Sequence, residues 1–224
     1  MLKSMIPYQN PIDSTPYLIY PPLPDPLFIP GKPIKLGVLA SGSGSNFEVI
    51  AQKIRDGQLN AQIQVLVYNN PKAKVKQRAE KFDIPTILVN HRDYPTRESF
   101  DQQVVDTLNQ YDLDLVVFAG WMRIATQVLV TAFPHQIINL HPAILPSFPG
   151  IRGVEQALES GVKITGCTVH IVELAVDSGP ILMQAAVPVL PQDTPETLHQ
   201  RIQVCEHQIM VGAIALMTQK LPLT

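Results

Sequence analysis

Two polar side chains two residues apart, Asn139 and His141, stand in the stretch 136–150, which reads QIINLHPAILPSFPG. Ile137 and Ile138 before them read as a buried strand, and residues i and i+2 of an extended chain point the same way. An amide and an imidazole therefore project together from a strand end. Pro142, Pro146 and Pro149 then fix φ and remove backbone donors, a rigidity suited to a reactive pair that must be held still. A carboxylate, Asp177, lies further on in the turn Val176-Asp177-Ser178-Gly179-Pro180. Taken singly, each has a plainer use: Asn139 and His141 satisfying backbone groups, Asp177 bonding its own turn. Together at neighbouring strand ends, Asn, His and Asp suit stabilisation of an oxyanion and movement of a proton. With no plausible serine or cysteine nucleophile beside them, the nucleophile would come from a substrate.

A second stretch, Ser41-Gly42-Ser43-Gly44-Ser45-Asn46, joins the first core strand to the first helix. Its glycines allow a tight turn and close approach, and free amides at a helix N-terminus with serine hydroxyls favour an anion. A phosphate on a small metabolite is the natural guest; the plainer alternative is a tight turn with a serine cap. Phe47 stands where a dinucleotide fingerprint needs its third glycine, the second strand ends in Asn69-Asn70 without a ribose-binding acid, and no GK[ST] follows, so neither an NAD fold nor a nucleotide P-loop is indicated. The six histidines form no ligand spacing, and no metal is expected. His170, inside a strand, reads as a core or supporting histidine, and His199 and His207 on the last helix need no special role.

These groups must be positioned by strands and helices that alternate. Ile34 to Ala40 is a first strand, followed by a helix with Phe47, Ile50 and Ile54 on its apolar side. Ile63 to Tyr68, Thr86 to Val89 and Leu113 to Ala119 are further strands, separated by a basic helix ending near Phe82 and by a helix that Thr96 caps, with Phe100, Val104, Val105 and Leu108 at helical spacing. Trp121 to Phe133 reads as a mostly helical connection into the Ile137 strand, and Val154 to Ser160 as a small helix. Thr165 to Val172 and Ile181 to Leu190 are two last strands, and the connection 173–180 is too short for a crossover, so they should run antiparallel. Thr194-Pro195 opens a closing helix with Leu198, Ile202, Cys205, Ile209, Ala213 and Leu216 as its buried stripe. The fold class is α/β: a doubly wound, mainly parallel sheet of about seven strands with an antiparallel addition near the C-terminus. In such a sheet ligands bind at the carboxyl ends of the strands, where all three polar stretches lie.

The chain has 224 residues, 46% of them hydrophobic, enough for one sizeable core. Residues 1–33 hold nine of the 21 prolines and read as an extended or disordered N-terminal extension, although Tyr17, Leu18, Ile19, Tyr20 and Phe28 could lie along the body. Residues 34–224 then form a single domain. A formal charge of −2 gives no reason to expect nucleic acid or an anionic membrane as partner. No apolar run is long enough to span a membrane and no secretory signal is present. Two cysteines, Cys167 and Cys205, fit reduced core thiols in a cytoplasmic protein.

The motifs SGSGSN, AGWMRI, INLHPAILPSFPG and VDSGP, in this order and spacing from Ile34 to the last helix, resemble those of the phosphoribosylglycinamide formyltransferases, folate-dependent enzymes of purine synthesis. The resemblance implies a Rossmann-like formyltransferase fold and transfer of a formyl group from 10-formyltetrahydrofolate, as cosubstrate, to the amine of a glycinamide ribonucleotide. It implies Asn139, His141 and Asp177 as catalytic residues, and Gly44, Ser45 and Asn46 as the substrate-phosphate loop. Glu206 would meet the glycinamide portion. The folate would be lined by Met122, Arg123, Ile124 and Ala125, by Asn139, by the turn 173–177 and by Arg97. Where many relatives carry a histidine after the PG, this chain has Ile151-Arg152-Gly153. The partners implied are small molecules, with a homodimer left open. A formyltetrahydrofolate hydrolase and a methionyl-tRNA formyltransferase would share the triad, but each usually carries an added domain for which this length leaves no room. A non-catalytic phosphosugar-binding protein would keep the loop and have no use for the triad.

Overall fold

In the computed structural model, which describes residues 17–25 and 31–220, one sheet carries every feature singled out above. Its strands are β1 (Leu18–Tyr20), β2 (Ile34–Ala40), β3 (Ala61–Tyr68), β4 (Thr86–Leu88), β5 (Leu115–Phe118), β6 (Ile137–His141), β7 (Ile164–Ile171) and β8 (Ile181–Pro188). The helices are α1 (Ser45–Arg55), α2 (Val75–Glu80), α3 (Arg97–Leu108), α4 (Gln127–Ala132), α5 (Gly153–Glu159) and α6 (Pro195–Lys220). The strand order is β1-β8-β7-β6-β5-β2-β3-β4. From β6 to β4 neighbours are parallel, while β6–β7, β7–β8 and β8–β1 are antiparallel.

Alternation along the central strands explains the two layers. Leu36, Val38, Leu115 and Val117 face one core with α1, α2 and α6, through Phe47, Ile50, Val75, Ile202 and Ile209. Leu39, Val65, Val67, Val116 and Phe118 face the other core with α3 and α4, through Phe100, Val104 and Leu129. A strand buried on both faces reads as a continuous apolar run, as VLVY and LVVF do.

The structure departs from the expectations at three places. The eighth strand comes from the proline-rich segment: Leu18, Ile19 and Tyr20 pair with Ala186, Ala185 and Gln184, and Tyr17 is buried beside them. The proline density hid it, although an edge strand is where proline can flank a ladder. Phe28, grouped with these residues in the sequence, lies outside the described ones. The connection 121–133 is helical only over α4, because Asp101 of α3 accepts the Thr126 amide at 2.7 Å and holds the residues before it in an irregular path. Of the α6 stripe, Leu216 is partly exposed and the other five are fully buried.

Candidate active site

β6 ends at the centre of the sheet, where the parallel part meets the antiparallel part, and its last residues deliver Asn139 and His141. The antiparallel register sets Asn139 opposite His170 and His141 opposite Thr168. Asp177 arrives from the β7–β8 turn. Its Oδ2 lies 3.2 Å from His141 Nδ1 and accepts the Gly150 amide at 2.7 Å, and its Oδ1 lies 3.4 Å from His170 Nε2. Asn139 Nδ2 is 3.2 Å from His170 Nε2 and 3.5 Å from Asp177 Oδ1. Asn139 and His141 thus both meet Asp177, with His170 and Gly150 as additional members.

The hydrogen-bond inventory constrains His141. Its Nε2 lies 2.8 Å from the Phe148 carbonyl oxygen, which can only accept, and its Nδ1 faces the Asp177 carboxylate. Satisfying both requires a proton on each nitrogen, the imidazolium form. On the acid side, burial pushes the Asp177 carboxyl up, but the His170 hydrogen bond, the Gly150 amide and the two nearby imidazoles outweigh it and leave the carboxyl below its ordinary range. His170 Nδ1 meets the Ile171 carbonyl oxygen at 2.9 Å, which fixes that ring.

Local strain gathers here. Five described non-glycine residues have positive φ, and three of them, Phe148, Arg152 and Asp177, surround His141. For Phe148 and Arg152 the left-handed region costs about 1–2 kcal/mol each, so surrounding contacts must hold the loop. Thr168 is one such contact: its hydroxyl donates to the Ala143 carbonyl at 2.7 Å and accepts the Leu145 amide at 3.1 Å, while Gln184 Nε2 donates to the Leu145 carbonyl at 2.9 Å. The prolines of this segment are therefore assisted by two side chains from β7 and β8.

A cleft of about 300 Å³ opens beside the triad. Asn139, His141 and Asp177 line it, as do Met122, Arg123, Ile124 and Ala125, and Glu173, Leu174 and Val176 from the β7–β8 turn. Met122, Ile124, Ile151 and Leu174 are more than half exposed at its mouth and form an apolar rim. Arg152 also lines the cleft, with its guanidinium 3.2 Å from Glu159. Arg97 does not line it. As the first residue of α3 it is exposed, one turn before Phe100, the ring over which Arg123 sits at 5.7 Å. Among the described residues, no group of three or more His, Cys, Asp and Glu is placed to hold a metal ion, and no helix is long and apolar enough to cross a membrane.

The loop 41–46 lies outside the cleft lining, at the end of β2, and is tied to the cleft through Ser41. Its amide donates to the Gly120 carbonyl at 3.0 Å, and its hydroxyl accepts the Met122 amide at 2.8 Å. Gly44 caps α1 with φ 77°, and a Cβ there would fall 2.3 Å from a Val75 methyl carbon. The glycine is demanded by α2 as well as by any anion. Ser45 Oγ accepts from Gln203 Nε2 at 2.9 Å, and Asn46 Nδ2 donates to Glu206 Oε2 at 3.3 Å. Glu206 is buried beneath Asn46 rather than standing in the cleft, and burial raises its carboxyl pKa, opposed by His199 and by the Asn46 bond.

In the sequence His170 has only a supporting place, and nothing there marks the Gly150 amide, the Phe148 carbonyl or Thr168. Two of these are backbone groups, which no residue type announces. His170 and Thr168 alternate on β7, but only the register with β6 gives them partners.

Residues 34–214 match the model of the formyl transferase family. The chain belongs to that family. Among curated relatives, this formyl transferase is 41% identical over 174 residues to the phosphoribosylglycinamide formyltransferase of Bacillus subtilis, covering 78% of this chain and 89% of that protein. It is 40% identical over 192 residues to the enzyme of the same name from Mycobacterium tuberculosis, covering 85% and 88%. Its fold matches the crystal structure of glycinamide ribonucleotide transformylase 1 from Symbiobacterium toebii with a TM-score of 0.83 at 42% identity, over 85% of this chain and 90% of that one. The region so matched contains the triad, the loop 41–46 and α6 up to residue 214.

Proposed function

We propose that this formyl transferase moves the formyl group of 10-formyltetrahydrofolate to the amine of 5′-phosphoribosylglycinamide, giving formylglycinamide ribonucleotide and tetrahydrofolate. The observation that carries this reading is the contact of Asn139 and His141 with Asp177 at the inner end of an apolar cleft. The names of the relatives supply the acceptor and the group transferred; the folate donor is what the resemblance of the motifs implies.

The amine nitrogen forms a bond to the formyl carbon, and the carbonyl oxygen gains negative charge. Asn139 Nδ2 and a protonated His141 donate to that oxygen, an arrangement that stabilises the transition state more than the substrate. His141 Nε2 reaches it by exchanging the Phe148 carbonyl for the formyl oxygen. The bond from carbon to the folate N10 then breaks, the amine loses one proton and N10 gains one. Asp177 keeps His141 charged and, directly or through water, assists that proton's passage. His170 and the Gly150 amide position Asp177. The rim of Met122, Ile124, Leu174 and Val176 covers the flat pteridine and benzoyl portions and excludes water, which would otherwise take the formyl group. Gly44, Ser45 and Asn46 hold the phosphate. Residues 34–224 form the working domain, in the cytoplasm, where Cys167 and Cys205 stay reduced.

The test is direct. Purified protein is incubated with glycinamide ribonucleotide and a 10-formyl folate while folate absorbance is followed, beside a control without amine. Absorbance change that needs the amine supports the proposal; equal change without it means hydrolysis and refutes it.

A further inference from the structure

The loop that would hold the substrate phosphate has more built around it than its glycines and serines. The first amides of α1 have no partner within the helix. Ser45 Oγ is occupied as an acceptor by Gln203 Nε2 at 2.9 Å, which leaves its own hydrogen for a ligand. Asn46 is only 9% exposed, and its Oδ1, an acceptor with no hydrogen-bond partner, is open to a ligand hydroxyl or to an imidazole N–H beside the phosphate, not to the phosphate oxygens themselves. Both side chains that grip this loop come from α6, at positions 203 and 206. Helical spacing puts residue 199 on the same face, one turn before Gln203. That residue is His199, whose side chain is exposed and whose charge is felt by the buried Glu206 carboxyl. Gln203 is neutral and Glu206 acidic, and His207, one turn further along, is partly buried, so on this face His199 is the exposed group that can offer a phosphate positive charge.

We infer that His199 is a phosphate-binding residue, its imidazole closing over the Ser45–Asn46 loop from α6 and selecting acceptors that carry a 5′-phosphate. The inference rests on the reading that the loop receives the phosphate of the acceptor. Its nearest rival is Lys74, the residue before Val75, whose amide donates to the Gly42 carbonyl at 3.2 Å from the opposite side of the loop.

His199→Ala should raise KM for glycinamide ribonucleotide about tenfold or more, the scale of a charge-assisted hydrogen bond. The kcat, the KM for the formyl folate and the melting temperature should stay near wild type. With the unphosphorylated glycinamide riboside, the variant and the wild type should perform alike, and His199→Lys should recover most of the lost affinity for the ribonucleotide. An equal loss on both acceptors, or no loss on the ribonucleotide, overturns the inference, as does a loss confined to Lys74→Ala. A second measurement does not need turnover. The imidazole NMR signals of His199 in the wild-type protein should move on addition of ribose 5-phosphate and stay put with ribose. If the wild type formylates neither acceptor, the formyl-transfer reading falls, and the ribose 5-phosphate titration still decides His199: unmoved signals refute it.

Discussion

Replacing Asp177 by Asn removes a charge while keeping shape, and the surrounding contacts indicate how much should be lost. The Asn oxygen can take the place of Oδ2, accepting the Gly150 amide and His141 Nδ1, and its amide can donate to His170 Nε2. The variant should therefore fold. What disappears is the attraction between carboxylate and imidazolium, which at 3.2 Å is about 5 kcal/mol for point charges at an effective dielectric of ~20, an upper bound because both charges are spread out. Without it the route for the transferred proton is lost. Turnover should fall by about 10²–10⁴, or about 3–5 kcal/mol of barrier. Both ligands should still bind, as titration calorimetry would show beside the folate absorbance assay. His141→Ala should cost a comparable amount, and the double variant much less than the product of the two, since groups acting as a unit are not additive. The same carboxyl predicts an acid signature. Its pKa in the folded protein lies below its ordinary 3.8, so its contribution to stability is complete above that value and is lost as pH falls through the folded pKa. The melting gap between wild type and variant should close in that acid range. Purified Asp177→Asn with most of the wild-type turnover would refute the account, and strictly multiplicative losses would end the coupling of His141 to Asp177.

Three other outcomes follow from particular contacts. Glu206→Gln should raise the melting temperature near neutrality: burial raises the folded carboxyl pKa, so the native acid favours folding fully below its ordinary 4.5 and loses that advantage as pH rises through the folded pKa; an unchanged melting temperature from pH 4 to 8 would contradict this. Gly44→Ala should destabilise the fold by at least about 1–2 kcal/mol, from the left-handed φ alone, with a further penalty against Val75; a denaturant midpoint equal to wild type would refute it, and a change in KM for the ribonucleotide without loss of stability would mean the glycine serves the anion only. Deleting residues 1–25 removes the buried Tyr17, its bond from Gln208 Nε2 at 2.7 Å and the β1 ladder on β8, so melting should drop by the equivalent of about 2 kcal/mol or more while turnover well below the melting temperature stays within about twofold.

Much of this was legible in the residues because local rules governed it. The short connection between β7 and β8 forced an antiparallel pair, and two residues spaced i, i+2 at a strand end put Asn139 and His141 side by side. The rest depends on long-range packing. β1 consists of three residues among prolines, and only the open edge of β8 gives them a partner. His170 gains its place from the β6–β7 register. Gly44 looked like an anion's requirement, yet Val75, a residue of another helix, presses on it. Glu206 has its role at the glycinamide portion from the resemblance alone, and only the packing of α1 on α6 shows that Asn46 covers it.

The triad and its supports come from one contiguous part of the chain, β6 through β8, whereas the grip on the proposed phosphate comes from α1 and α6, which are far apart in sequence and packed together in the fold. Ser41 and Met122 link the loop to the cleft. A change in what the chain accepts can therefore arise by substitutions on α1 and α6 that leave the formyl-handling strands untouched, so the acceptor is the part of this reaction most open to evolutionary exchange and to redesign.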